Sequence, residues 1–488
     1  MANIASMLQD DNLRYPLLKL AGQIGDESDM DVYVVGGYVR DLMMDRELSD
    51  IDIMVVGDGI QFARKFAKRL GVTKVVPFEE FGTAMIPCQD LEIEVATART
   101  ETYRKDSRKP QVSASDLKED LMRRDFTINA MAIGLGNGEH GDLHDPCSGI
   151  RDLQNQIIRT PLDPDTTFSD DPLRMMRAIR FAAQLGFKID KVVMESISRQ
   201  VKRIEIVSWE RITAEFYKIL LAEQPSVGLD MLQHVGLMEI IFPEVAEMSG
   251  MEQPAEWHHK DIFYHTLQVV DNIAPETDNP DLRFAALVHD IGKPRTRRLH
   301  RKKGWTFHGH DAVGAKMIDR VAARMKLSNA TREYLKKLTT IHLRPISLAK
   351  EGVTDSAVRR VMVAAGEEVD DLLTLCRADI TSKNPRLVKK YLGNFDRVEK
   401  MMQDVEERDA FLAFQSPVRG DTIMKECHIS PGPLVGKIKT AIENAILDGE
   451  IENSYEAAYD YFLKIKDEII NDLTSDSDSS TINKAPKA

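Results

Sequence analysis

Between Val32 and Ala132 short β-branched runs alternate with Gly and Pro, and VYVVGG, IDIMVVG, TKVVPF, TAMIPC and EIEVATA each predict a strand. Helical spacing separates them at Tyr38 to Met44 and Ile60 to Leu70, and an amphipathic stretch from Met7 to Ile24 precedes them. From Ser169 onward the apolar period turns helical, through DDPLRMMRAIRFAAQLGF and WERITAEFYKILL, and stays so to residue 470. The pattern therefore predicts an α/β unit of about 130 residues followed by helices. Gly and Pro clusters near Pro254 and from Pro417 to Pro433 mark joints, and the polar TSDSDSSTINKAPKA reads as a disordered tail.

Composition narrows the class. The chain has 488 residues, enough for about three domains, and 43% hydrophobic content is enough to bury sizeable cores. No run approaches the ~18 apolar residues of a membrane span, and the opening lacks the order of a secretory signal, so a cytoplasmic protein without a membrane partner is expected. Cys88, Cys147, Cys376 and Cys427 form no CxxC pair and read as reduced bystanders. With 78 acidic against 65 basic side chains, net charge −13, the chain does not coat itself in nucleic acid by global charge. A local basic groove is still possible.

The segment VYVVGGYVRDLMMDRELSDIDIMVVG carries the first chemistry. A strand runs into Gly36 and Gly37, where missing side chains let backbone amides approach a phosphate, and the next helix carries Arg40. Asp50 and Asp52 alternate with Ile51 and Ile53, so both carboxylates leave one strand face. Such a pair suits two Mg²⁺ ions ~3.5–4 Å apart and two-metal phosphoryl chemistry. Glu92 and Glu94 repeat the arrangement; Glu94 is the candidate third carboxylate, and a plain exposed strand face is the alternative.

GGYVRD with SDIDI, then FGTAM, EIEVATARTETYRKDSRKPQV, EDLMRRDFTINAMA, DPCSGIRDL and DDPLRMMRAIRFAAQLGF resemble the bacterial and eukaryotic-type CCA tRNA nucleotidyltransferases of the polymerase β-like superfamily. The resemblance runs almost continuously from Val32 to Leu221. It implies that Gly37 and Arg40 contact an incoming triphosphate and that Asp50 and Asp52 hold Mg²⁺. It also implies that Arg123 or Arg124, with Asp125 and Asn129, binds nucleotide phosphate or ribose. Asp171, Arg174, Arg177 and Arg180 recur every three residues and form one stripe on a helix. In the resembled family such an Asp and Arg pair selects CTP and ATP by offering hydrogen-bond edges. Pairing of Arg177 and Arg180 to Glu210 or Glu215 is the alternative for the outer two. The family usually has Glu-Asp where this chain has Asp170-Asp171. The base-reading Asp171 is unchanged.

ARTETYRKDSRKP matches the flexible loop that A-adding members carry, and its Arg104, Lys105, Arg108 and Lys109 are candidate RNA contacts. The second half holds His265, His289-Asp290, His308, His310, His342 and Asp379, donors suited to divalent metals. Apolar AALV before His289-Asp290 resembles the HD phosphohydrolase superfamily. That resemblance implies His265, His289, Asp290 and Asp379 as a metal set, His310 and His342 as the additional ligands of dinuclear members, and phosphoester hydrolysis as the chemistry. From Lys293 to Lys303 seven of eleven residues are Lys or Arg, and Arg297, Arg298, Arg301, Lys302 and Lys303 are candidate tRNA contacts, as is a second cluster near Lys383.

Taken together the resemblances imply an α+β chain. An N-terminal helix (1–28) precedes a polymerase β-like nucleotidyltransferase α/β head (29–157), an all-helical neck (158–250), an all-helical HD domain (251–385), a C-terminal helical region (386–470) and a disordered tail (471–488). The expected activity is addition of C, C and A to the 3′ end of tRNA from CTP and ATP, with Mg²⁺ at the head, a divalent metal at the HD site and tRNA as partner; no protein partner is predicted. A poly(A) polymerase and an RNA-binding or signalling protein governed by its HD domain are the alternatives.

Overall fold

The computed structural model describes residues 3–48, 50–88, 91–104, 107–251, 261–301, 304–349, 353–409 and 416–478. By internal contacts the chain divides into two units, residues 1–251 with 261–284 and 320–328, and residues 252–260 with 285–319 and 329–488.

The first unit is built on a seven-stranded sheet: β1 (Asp31–Val35), β2 (Ile51–Val56), β3 (Val76–Phe78), β4 (Thr83–Cys88), β5 (Leu91–Thr97), β8 (Ala132–Gly134) and β9 (Leu143–His144). The order is β3-β4-β5-β2-β1-β8-β9, and only β2 and β5 run parallel. All five predicted strands are present. Alternation assigns each face: Ile51, Ile53, Val55, Ile93 and Val95 are buried in one core with Leu18, Ala21, Ile24, Phe62 and Phe66 from the flanking helices. Asp52 and Glu94 therefore leave the opposite face, and they are directly registered partners on β2 and β5.

Two expectations shift here. The described part of the N-terminal stretch, residues 3–28, holds two helices, Ala5–Asp10 and Tyr15–Ser28, and Leu8 and Leu18 belong to the head's core, so these helices are part of the head. The ARTETYRKDSRKP stretch, read as a loop, forms an antiparallel hairpin of β6 (Arg99–Arg104) and β7 (Ser107–Ala114), consistent with the strand propensity of Thr100, Thr102, Tyr103 and Val112.

After residue 158 the first unit is helical, except that β10 (Ile157–Ile158) pairs in parallel with β11 (Lys188–Ile189), a small departure from an all-helical neck. The Ile262–Ile273 helix and Phe284, expected in the HD domain, group with this unit because they pack there. Phe284 meets Phe216 and Phe242 at centroid distances of 5.8 and 5.9 Å.

Among its described residues the second unit is also helical, apart from an antiparallel hairpin, β12 (Arg298–His300) with β13 (Gly304–Thr306), that the all-helical expectation missed. Its C-terminal helices Gly420–Cys427, Pro433–Leu447 and Tyr455–Asp478 share a core of Val418, Ile423, Ile438, Ile442 and Phe462. The last helix runs through residues 471–478, which polarity assigned to a tail. Among the described residues no helix is long and apolar enough to cross a membrane.

Glycine sets one close approach. A Cβ on Gly22 would sit 2.0 Å from the carbonyl oxygen of Leu135, so the Tyr15–Ser28 helix meets the chain after β8 backbone to backbone. Gly22→Ala is expected to destabilise the head by about 1–3 kcal/mol through overpacking, net of the better helix propensity of Ala. A lowered first transition in thermal denaturation checks it.

Candidate functional site

Gly36 follows β1 with φ +74°, a conformation that favours glycine, and starts the Gly37–Met43 helix. A Cβ there would lie 3.1 Å from Nη1 of Arg124 and 3.3 Å from Oδ2 of Asp52. The turn, a guanidinium and the strand carboxylate are thus within contact distance. Asp52 is half-buried, and burial, then Glu94 and Asp50, push its carboxyl up to about 6 against the pull of Arg124 and Arg40. Glu94 is exposed, and Asp50, also exposed, accepts a hydrogen bond from the Glu92 amide at 3.2 Å. Three clustered carboxylates of which one resists ionisation suit a divalent cation, which removes the repulsion.

Behind this group lies a buried polar network. Asp125 Oδ2 accepts from Nε and Nη2 of Arg177 at 2.8 and 2.5 Å, and its Oδ1 accepts from Asn129 at 3.0 Å and from the Phe126 amide at 2.8 Å. Burial alone would raise this carboxyl, but Arg177 and Asn129 outweigh it and hold Asp125 well below the usual carboxylate range. Asn129 Oδ1 accepts from Nη1 of Arg40 at 2.8 Å, whose Nε and Nη2 grip Asp41 at 2.9 and 2.7 Å.

On the Leu173–Leu185 helix the four-residue stripe divides. Arg174 spends Nη2 on the Arg123 carbonyl at 2.8 Å, and Asp171 Oδ1 accepts from the Leu173 amide at 3.2 Å, fixing the start of the helix. Arg177 and Arg180 pair with Glu215 at 3.7 and 3.2 Å, the alternative raised for the outer two. Arg180 is buried, and burial pulls it down to about 10 although Glu215 opposes this, so it is still charged at neutral pH. Phe181 gathers three guanidinium groups over its ring, Arg180 at 4.1 Å, Arg40 at 5.1 Å and Arg177 at 5.5 Å.

Sequence reasoning missed Asp120, which is buried. Its carboxylate takes Arg123 at 2.6 Å, Arg124 at 3.1 Å and the amide of Arg99 at the hairpin root at 3.2 Å. Spacings of three and four residues from Asp120 to the two arginines were the available signal. Of the hairpin's candidate RNA contacts, Lys105 is outside the described residues, and so are the side chains of Arg104, Arg108 and Lys109.

The second unit holds a separate cluster. His289 and Asp290 follow the Pro280–Val288 helix, and the ligand atoms of Asp290, His310 and His342 lie within 4.8 Å of one another. Nδ1 of His289, His310 and His342 each contacts a main-chain carbonyl three residues back, of Ala286, Phe307 and Thr339, at 2.7, 2.8 and 2.7 Å. These contacts turn Nδ1 to the main chain and direct Nε2 of each ring into the cluster. Nε2 of His310 and His342 face each other at 3.4 Å, and Asp290 lies 3.2 Å from His310 and 3.1 Å from His289. Asp379 completes the group at 3.5 Å from His289. Burial would lower His289, but Asp290 and Asp379 outweigh it and raise it to about 10; His342 is driven down to about 4 by burial and then by His289. Opposed lone pairs beside buried carboxylates fit a divalent cation. His265 is buried on the Ile262–Ile273 helix of the first unit.

The basic run splits too. Lys293 pairs with Asp290, Arg297 stacks on Trp305 at 3.8 Å, Arg298 and Arg301 are exposed, and Lys302 and Lys303 are outside the described residues. Of the cluster near Lys383, Lys383 and Lys389 line an open cleft of about 560 Å³ with Ser382 and Asp396.

Three family models match the chain in order: the Poly A polymerase head domain over residues 32–159, the probable RNA and SrmB-binding site of polymerase A over 186–249, and the HD domain over 262–413. The A-adding tRNA nucleotidyltransferase of Deinococcus radiodurans is 32% identical over 70% of this chain and 78% of its own length. The chain belongs to the tRNA nucleotidyltransferase family. The Multifunctional CCA protein of Shewanella frigidimarina, 36% identical over 62% of this chain and 72% of its own length, is a second relative. A CCA-adding enzyme in an apo form has the same fold, with TM-score 0.63 and 25% identity over 95% of this chain and 97% of that one. Nucleotidyltransferase heads and HD domains are metal-dependent, in keeping with the Asp290, His310 and His342 donor group of the second unit.

The Asp125 network yields a direct test. Asp125→Ala strands Arg177 and removes an acceptor from Asn129, and is expected to cost about 3–5 kcal/mol. Because the folded pKa is lowered, the stabilisation is present above about pH 4 and lost as pH falls below that value. Denaturation midpoints of wild type and Asp125→Ala between pH 3 and 7 should therefore converge toward the acid end.

Proposed function

We propose that the chain adds C, C and A in turn to the 3′ end of tRNA, from CTP and ATP and without a nucleic-acid template. One observation carries this reading: Asp52, registered with Glu94, and Arg124 both adjoin Gly36, while Asp125 fixes Arg177 and the Arg123 carbonyl fixes Arg174 on one helix of the same unit. Reaction site and reading head are a single preorganised assembly.

Asp50, Asp52 and Glu94 would hold magnesium, which when bound activates the attacking hydroxyl and screens the triphosphate. Arg124, beside Gly36, takes triphosphate charge, and Asp120 keeps it there. The terminal ribose oxygen of tRNA bonds to the α-phosphorus, the bond from that phosphorus to the bridging oxygen breaks, pyrophosphate leaves, and the hydroxyl proton passes to solvent. Asp171 accepts and Arg174 donates, presenting to C or A the edges that a template base would present. Arg177 holds Asp125 in place, and Arg180 with Phe181 and Glu215 supports Arg177 from behind.

In the second unit Asp290, His310 and His342, with His289 and Asp379 beside them, would hold a divalent metal, which when bound supplies an activated water for phosphoester hydrolysis. The three Nδ1 contacts orient the imidazoles so that Nε2 of each faces the cluster.

The first reading is tested on transcripts ending at N73, C74 and C75, with CTP and ATP supplied separately and together. Growth that stops at CCA is expected; A alone on the C75 transcript would move the assignment to an A-adding enzyme, and unlimited A extension to a poly(A) polymerase. Asp50→Ala with Asp52→Ala should reduce incorporation to background in the same assay. For the second reading, His289→Ala with Asp290→Ala should lower bound metal by elemental analysis and abolish phosphoester hydrolysis. Unchanged hydrolysis in that variant would overturn it.

A further inference from the structure

Arg40 lies on the Gly37–Met43 helix that the Gly36 turn begins, and the family resemblance makes it a contact of the incoming triphosphate. Its guanidinium is turned inward instead. The side chain is 11% exposed, and each of its three nitrogens is engaged within the protein. Nε and Nη2 donate to the two oxygens of Asp41, and Nη1 donates to Oδ1 of Asn129. The guanidinium that stands beside Gly36 is that of Arg124.

Charge balance agrees with this placement. Arg40, Arg177 and Arg180 surround the Phe181 ring, and three buried acids match them, Asp41, Asp125 and Glu215. Three positive charges meet three negative ones, so this cluster calls for no phosphate. Nor does a point charge on a triphosphate require a fork; a lysine supplies the same charge on a flexible stem. The fork is what Asp41 and Asn129 together require.

Arg40 joins two helices of the same unit. It is carried by the helix that follows the Gly36 turn, and it meets the Leu173–Leu185 helix by two routes. One is direct, over the Phe181 ring at 5.1 Å. The other runs through Asn129, whose Nδ2 donates to Oδ1 of Asp125 at 3.0 Å, while Oδ2 of Asp125 holds Arg177. Sliding one helix past the other would break charge-assisted hydrogen bonds in a buried setting.

We infer that Arg40 is a positioning residue for base selection and not a triphosphate ligand: it locks the Gly36 turn to the helix that offers Asp171 and Arg174 to the base. The inference rests on the nucleotidyl-transfer reading of the head. Phosphate contact then falls to Arg124 and the turn, and Arg40 sets the spacing between the phosphates and the reading edges. A nucleotide whose base does not match those edges cannot be accommodated by a shift of the helix.

The test compares full-length wild type with Arg40→Gln and Arg40→Lys, in the presence of Mg²⁺. kcat/KM for ATP over GTP is measured on a transcript ending at C75 and for CTP over UTP on one ending at C74. Pyrophosphate, as a product inhibitor, probes phosphate contact. Both variants should lose about tenfold or more in each ratio, with the pyrophosphate inhibition constant within about twofold of wild type. Lysine should not rescue, because it keeps the charge but cannot serve Asp41 and Asn129 as a fork. It also keeps a cation against Asp41, and so decides the question where the glutamine variant does not fold. Weakened pyrophosphate inhibition, or full ratios in the lysine variant, overturns the inference and returns Arg40 to the triphosphate. Unchanged ratios with only a lowered kcat overturn it as well. If the wild type incorporates no nucleotide, the transfer reading itself fails and this inference falls with it.

Discussion

The buried carboxylate of Asp125 is the interaction on which the head's site depends. A lone ionised carboxylate in that position would be costly, and it is tolerated because Arg177, Asn129 and the Phe126 amide all donate to it. Both side-chain donors reach further. Asn129 holds Arg40, and Arg177 reaches Glu215, which in turn holds Arg180. One acid therefore sets the direction of three guanidinium groups, and Phe181 fixes their spacing. A base is read by edges that do not move, so rigidity here is the functional property.

Strand alternation made much of this readable in advance. Ile51 and Ile53 bury one face of β2, which leaves Asp50 and Asp52 the other, and the registered partner of Asp52 is the Glu94 chosen from the same rule. Helical spacing likewise put Arg174, Arg177 and Arg180 on one stripe, but could not say which arginines meet solvent and which meet Glu215. That acid is 35 residues beyond Arg180 in the chain, and only packing of the Trp209–Leu220 helix against the Leu173–Leu185 helix brings the two together. Asp120 escaped notice for a different reason. Its spacing to Arg123 and Arg124 is visible, yet its hold on the Arg99 amide depends on where the hairpin leaves the sheet.

The same distinction applies in the second unit. Ligand types and their order could be read from His289, Asp290, His310, His342 and Asp379. The shared Nδ1 contact to a carbonyl three residues back, which sets the ring orientation, could not. The basic run was visible as charge, but its folding into a hairpin rooted between Asp290 and His310 was not. The net charge of −13 conceals this segregation, because acids gather at donor clusters while arginines gather where phosphates would lie.

The central claim is that Asp125 sets nucleotide choice by fixing Arg177 and by the charge it presents to Arg174 one turn earlier on the same helix, and the most direct measurement is discrimination in the Asp125→Asn variant. The ratio of kcat/KM for ATP over GTP would be compared with wild type on a transcript ending at C75. The corresponding ratio for CTP over UTP would be taken on one ending at C74. The account predicts that both ratios fall by about tenfold or more, because the amide keeps the shape but loses the charge that orients Arg177. A slower enzyme with both ratios unchanged would contradict it.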